Sequence, residues 1–233
     1  MKALISLIAS VSIIAAQAIE EEAIFIKPGS SRGYIGVLNH QTLVPESLFA
    51  EAADILREQR RYVFKFGSEE SVLSDAAIQL RIVDDPADSA PMTVSPEAGR
   101  GVLNVAALTN GLGSAESVRK ILPHRARLEF LRLICYAFGV GGSQFGGNIL
   151  SATSLEDLDK MQPFLPVDAF DKIEKSGAKR GLKPEIAADY YGACEQGWAP
   201  APVTEAQKKI WTLIHTPPSE PIKITFDPKT DTK

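Results

Sequence analysis

The chain has 233 residues, 45% hydrophobic and 23% charged, with a formal net charge of -4. That is apolar material enough for one substantial core, or one core with a small appendage. Acidic residues outnumber dispersed basic ones, so nothing points to nucleic acid as a partner.

The first residues have the form of a secretory signal: Lys2, an apolar run from Ala3 to Ala16, and the small-residue pattern Ala16-Gln17-Ala18. The run is shorter than the ~20 residues that span a bilayer, and Glu20-Glu21-Glu22 follows it, so no stable membrane insertion is expected. The expected organisation is a signal peptide over 1–18, an α+β domain over 19–165, and a helical C-terminal subdomain with a polar tail over 166–233. The mature protein is expected to be secreted or periplasmic.

Residues 23–26 read as a first strand, ended by Lys27-Pro28-Gly29 and followed by a Gly/Ser-rich loop. Residues 45–56 place Leu48, Ala52, Ile55 and Leu56 on one helical face. A second strand over 61–66 is stopped by Gly67, and the alternation over 78–83 gives a third. After a loop rich in Pro, Asp and Ser, residues 101–108 give a fourth. Ser114 opens a helix that Pro123 restarts and that runs to Phe138. The order is β-α-β-β-β-α, an α+β fold with a mixed four-stranded sheet and helices packed on it.

Beyond it, 166–175 and 184–194 read as helices opened by prolines. Trp198 to Pro202 is a stiff connector. Thr204-Glu205-Ala206-Gln207 matches a capping box for a helix ending near His215, and 222–226 reads as a last short strand.

Leu128, Phe130, Leu131, Leu133, Ile134 and Cys135 cover most of the circumference of the helix ending at Phe138, which must therefore be buried. Arg125, Glu129, Arg132 and Tyr136 recur along it on one narrow stripe. Two readings stand. The stripe is an ion-paired ladder, or it lines a cleft where Arg132 holds a carboxylate or carbonyl and Tyr136 donates a hydrogen bond, with Gln144 and Asn148 assisting. Cys135 and Cys194 also leave two readings open. A disulfide would close a loop of about sixty residues and stabilise by on the order of 4 kcal/mol; otherwise they are two buried free thiols.

The element order resembles the N-terminal half of a zincin, and this helix with its glycine-rich turn resembles the metzincin motif HExxHxxGxxH. With the motif glycine on Gly139, Arg132, Tyr136 and Gly142 occupy the three histidine positions and Leu133 that of the glutamate base. The following segment is similar to the archaemetzincins, whose motif continues Cys-x4-Cys-x-Met. Those places hold Ser143, Asn148 and Leu150, and a later Cys-x-x-Cys falls on Asp168 and Asp171. Residues 154–160 resemble that family as well. The resemblance covers roughly residues 24–171 and implies a zincin-like fold; an unrelated mixed α+β domain is the alternative.

Zinc takes N, S or O ligands at ~2.0–2.3 Å, which arginine, tyrosine and glycine do not supply in this motif. Without a carboxylate at Leu133 no base activates a bound water. The expectation is therefore no metal, no cofactor and no catalytic residue, in a metalloprotease-like protein that binds a peptide or protein. The alternatives are an exported hydrolase of non-zinc mechanism built on Arg132, Tyr136 and Glu129, and a structural envelope protein. His40, His124 and His215 have no ligand spacing. The glycines from Gly139 to Gly147 follow a helix, where its dipole is negative and disfavours phosphate. Glu156, Asp157 and Asp159 lack the calcium-loop pattern and read as a solvated helix start.

Overall fold

The structure, a computed structural model, describes residues 24–39 and 44–216. The signal-like segment, His40 and the strand expected at 222–226 lie outside those residues. The chain divides into two compact units, Pro28–Ile186 and the pair of segments Met1–Lys27 and Ala187–Lys233. The division expected at 165/166 instead falls within the first unit.

The smaller unit joins β1 (Phe25–Ile26) antiparallel to a late strand, Ala187–Ala188. The strand expected over residues 23–26 was to open the main sheet; Phe25 and Ile26 pair with Ala188 and Ala187 instead. Phe25 packs edge-on against Tyr190 at 5.4 Å, and the Tyr190 hydroxyl donates to the Pro200 carbonyl.

In the larger unit the main sheet contains β2 (Ile35–Asn39), β3 (Phe64–Gly67), β4 (Ile78–Val83), β5 (Met92–Ser95) and β6 (Arg100–Asn104), in the spatial order β3-β2-β4-β6-β5. Late in the chain, Ala187–Ala188 is β7. β3, β2, β4 and β6 run parallel, and β5 pairs antiparallel with β6 at the edge. The mixed sheet thus has five strands, not the expected four.

Two strands were misread for physical reasons. All five residues of β2 are buried, because helices cover one face and residues 70–76 the other. Such a strand carries no alternation, and Gly36 makes it look like loop; a Cβ there would sit 2.4 Å from the Val72 carbonyl oxygen. β5 is four residues long inside a Pro/Asp/Ser-rich stretch. The buried Asn104 side chain shapes that stretch, donating to the carbonyls of Asp85 and Asp88 and accepting from the Asp85 N–H. β6 ends at Asn104, and Ala106–Thr109 is a 3-10 helix, so the strand expected to reach Leu108 is shorter and is no edge.

α1 (Glu46–Arg60) and α2 (Ala115–Ala137) pack on the inner face of the sheet. Phe130 of α2 meets Phe49 of α1 at 5.2 Å and Phe66 of β3 at 6.5 Å. Gly101 of β6 lets Leu133 lie directly on the sheet; a Cβ there would meet its Cδ1 at 2.6 Å. α2 runs through Pro123 without a break, although an interior proline costs about 3 kcal/mol. The N–H it lacks would have met the carbonyl of Arg119, an exposed residue, and burial of the later turns holds the helix together.

α2 ends in a Schellman turn: Val140 N–H donates to the Cys135 carbonyl, Gly139 N–H to that of Tyr136, and Gly139 takes φ +81°. The short α3 (Leu155–Leu158) begins in a capping box formed by Ser154 and Asp157. α4 (Val167–Lys179) packs Ala169 and Ile173 into the same core. In place of a helix over 184–194 the chain forms β7 and then α5 (Tyr190–Glu195). α6 (Glu205–His215) starts at the expected Thr204–Gln207 capping box.

Candidate functional site

The stripe on α2 exists and lies beneath other chain rather than in an open groove. Arg125 is 2% exposed. Its Nε and Nη2 donate to Asp159 Oδ1 and Oδ2 at 2.7 and 2.8 Å, and its Nη1 donates to the carbonyls of Leu108 and Asn110 at 2.9 and 2.7 Å. Asp159 follows α3, so this one guanidinium ties the central helix to both flanking loops. The hydrogen bond from Arg125 holds the Asp159 carboxyl below the ordinary carboxylate range. The ladder reading foresaw Arg125 against Glu129; its carboxylate comes instead from 34 residues downstream.

Glu129 pairs with Arg132. Arg132 Nη1 donates to Glu129 Oε1 at 2.7 Å, and Nη2 to the Tyr136 hydroxyl at 3.2 Å and the Ala152 carbonyl at 3.1 Å. The guanidinium also lies 5.5 Å from the centre of the Tyr136 ring. Glu129 is 2% exposed, and burial pushes its carboxyl up against the opposing pull of Arg132. Glu129 Oε2 and Arg132 Nε are buried without a hydrogen-bond partner. The structure thus brings Glu129, Arg132 and Tyr136 together as the spacing required, with Ala152 as a partner that no side-chain pattern announces.

The two loop residues separate. Asn148 is 2% exposed and shapes its own loop, accepting from Leu150 N–H and donating to the Phe145 carbonyl and Ser143 hydroxyl. Gln144 is exposed and makes no part of the stripe. Beside it Phe145, which sequence reasoning passed over, is 82% exposed.

Leu133, which the sequence resemblance aligns with a general base, points into the core under Gly101. Cys135 in the larger unit and Cys194 in the smaller are each buried as free thiols in this structure. Cys135 is enclosed by the core of the larger unit, and burial pushes its thiol up to about 12, well away from a reactive thiolate. His124 is bonded to the Leu158 carbonyl, and His215 to that of Trp211. Among the described residues no three or more His, Cys, Asp or Glu side chains gather in a way that could hold a metal ion. Depressions lie elsewhere. One of about 640 Å³ is lined by Tyr34, Lys65, Phe66 and Glu69, and one of about 240 Å³ by Gln79, Arg81, Arg100 and Val102.

No protein-family model matches the chain, and no curated protein matches it. Two solved structures are similar to it. Archaemetzincin from Methanopyrus kandleri is 13% identical, with a TM-score of 0.46 over 65% of this chain and 98% of that one. A zinc-dependent peptidase from Methanocorpusculum labreanum is also 13% identical, with a TM-score of 0.43 over 59% of this chain and 98% of that one.

A zinc ion does not fit the stripe. The Arg132 guanidinium, which the sequence resemblance aligns with a histidine ligand, is itself a cation, has no lone pair to give, and is held by Glu129, Tyr136 and Ala152.

Proposed function

We propose that this is an exported protein of zincin-like fold that binds an extended peptide or protein segment and does not hydrolyse it by zinc chemistry. The observation that carries the reading is the Arg132 guanidinium, bound on three sides where the resemblance places a metal ligand. The order β2-α1-β3-β4-β5-β6-α2, with a buried helix closing the set, supports the zincin-like fold.

Because the stripe is largely covered, the docking element is the outer edge of β5, which pairs with no other strand among the described residues. Asn104 N–H donates to the Pro91 carbonyl at 3.0 Å. In the antiparallel register this directs the backbone groups of Thr93 and Ser95 to β6 and those of Met92 and Val94 outward. An extended segment pairing there would add a strand to the sheet.

The test is to purify the protein, measure zinc, and screen extended peptides while following amide exchange. The expected result is substoichiometric zinc and peptide-dependent protection of Met92 and Val94. Val94→Pro should abolish binding and leave the fold intact, since the N–H it removes points away from β6. Stoichiometric zinc with zinc-dependent peptide cleavage would overturn the proposal. Burial of Arg125 and Glu129 favours a second reading, a structural envelope protein without a ligand. Failure of every peptide to protect β5 would leave that one standing.

A further inference from the structure

The sheet has a second face, turned away from α1 and α2. Residues 70–76 cover it over β2, where Gly36 meets Val72 and Ala76. Towards β5 it is open: Thr93, Ser95 and Arg100 are exposed, and Gln79, Arg81 and Val102 are half-buried. The register places Gln79, Arg100 and Ser95 in one row across β4, β6 and β5, and Arg81, Val102 and Thr93 in the next. Arg100 and Arg81 are thus diagonal neighbours, a separation of about 7–8 Å that two long side chains can bridge. Both line the depression of about 240 Å³, with Gln79, Gly101 and Val102.

The two guanidinium groups are not equivalent. Arg81 holds Glu70 through both terminal nitrogens, Nη1 to Oε1 and Nη2 to Oε2, the latter at 2.7 Å. Arg180, at the nearby β5–β6 turn, is engaged by the carbonyls of Pro96 and Glu97. The Arg100 guanidinium has no ion-pair or hydrogen-bond partner among the described residues. The depression therefore contains one arginine already gripping a carboxylate with planar, two-pronged geometry and another with its fork free. Two like charges in one depression repel, and Glu70 is ion-paired with Arg81.

We propose that this depression is a binding site for a single oxyanion, a carboxylate or phosphate group on a small molecule. Arg100 is its main contact, and the remaining N–H groups of Arg81 and the side chain of Gln79 flank it. A space of about 240 Å³ admits phosphate or a short dicarboxylate. The site is on the face opposite the α2 stripe and is independent of the peptide-binding reading.

The test is titration of the full-length protein with inorganic phosphate in one arm and succinate in the other, at constant ionic strength, followed by calorimetry and amide chemical shifts. Saturable binding in either arm is expected, with shifts centred on Gln79, Arg81 and Val102, and the arm that saturates names the group. Arg100→Gln should weaken the affinity at least tenfold and Arg100→Lys less, with unchanged circular dichroism because the residue is exposed. Arg119→Gln, an exposed arginine at the start of α2, should bind as the parent does. Non-saturating responses in both arms, or equal affinity in Arg100→Gln, would overturn the proposal.

Discussion

Arg125 and Arg132 occupy the same stripe of the same helix, yet they do different work. Arg125 is satisfied on every side: a two-pronged carboxylate and two backbone carbonyls, with the whole side chain buried. Arg132 has a carboxylate through a single bond, a phenol and one carbonyl, while its own Nε and the far oxygen of its partner Glu129 go without. A fully bonded buried ion is architecture. A partly bonded one is where rearrangement costs least, since breaking it forfeits fewer hydrogen bonds.

The largest expected effect comes from breaking the first. Arg125→Ala leaves Asp159 without its partner and two carbonyls without donors, and should cost about 3–5 kcal/mol in urea unfolding. The comparison sharpens with paired changes. Glu129→Leu with Arg132→Met removes both members of the ion pair, leaves one carbonyl, that of Ala152, without its donor, and should restore stability to within about 1–2 kcal/mol of the parent. Arg125→Met with Asp159→Leu should recover much less, because the carbonyls of Leu108 and Asn110 remain unbonded. Equal recovery by the two doubles would show the two sites to be alike.

The contrast was half legible in the sequence. Helical periodicity marks α2 as buried and sets Glu129, Arg132 and Tyr136 on one line, because that information is local. The partner of Arg125 is not local. Glu129, one turn along, offers the obvious charge, whereas Asp159 sits in a segment that reads as a solvated helix start and reaches Arg125 only when α3 folds back over α2. The same limit explains the sheet. β4 alternates and is visible; β2, buried on both faces, shows no alternation, and β5 depends on Asn104 holding the loop before it. Burial of the stripe is likewise a property of residues 149–159, and no pattern within α2 encodes it.

Acid titration separates the two sites with opposite signs. The Asp159 carboxyl lies below its ordinary 3.8 in the folded chain, so its contribution is complete above that value and is lost as pH falls through the folded pKa. The Glu129 carboxyl lies above its ordinary 4.5, so the folded chain binds its proton more tightly than the unfolded one. Its effect is most favourable below 4.5 and is lost as pH rises through the folded pKa. Stability measured by denaturant at successive pH values should therefore fall on both sides of a maximum near the two ordinary values. Glu129→Gln should flatten the upper slope alone and Arg125→Met the lower alone. If both variants flatten the same slope, the assignment of one carboxyl to each arginine fails.

The smallest effect expected is that of Tyr136→Phe. The hydroxyl accepts one bond from Arg132 Nη2, which keeps the Ala152 carbonyl as a second acceptor, and the phenyl ring retains its place beside the guanidinium. Loss of that one hydrogen bond should cost about 0.5–1 kcal/mol in unfolding. Because the oxygen serves as acceptor to Arg132, its own proton remains available to an incoming carbonyl, and Tyr136 is only half-buried. If a peptide paired on β5 also reaches across α2, the variant should lose several-fold in peptide affinity while its unfolding midpoint barely moves. Unchanged affinity would assign Tyr136, with Arg125, to architecture and leave the edge of β5 to bind alone.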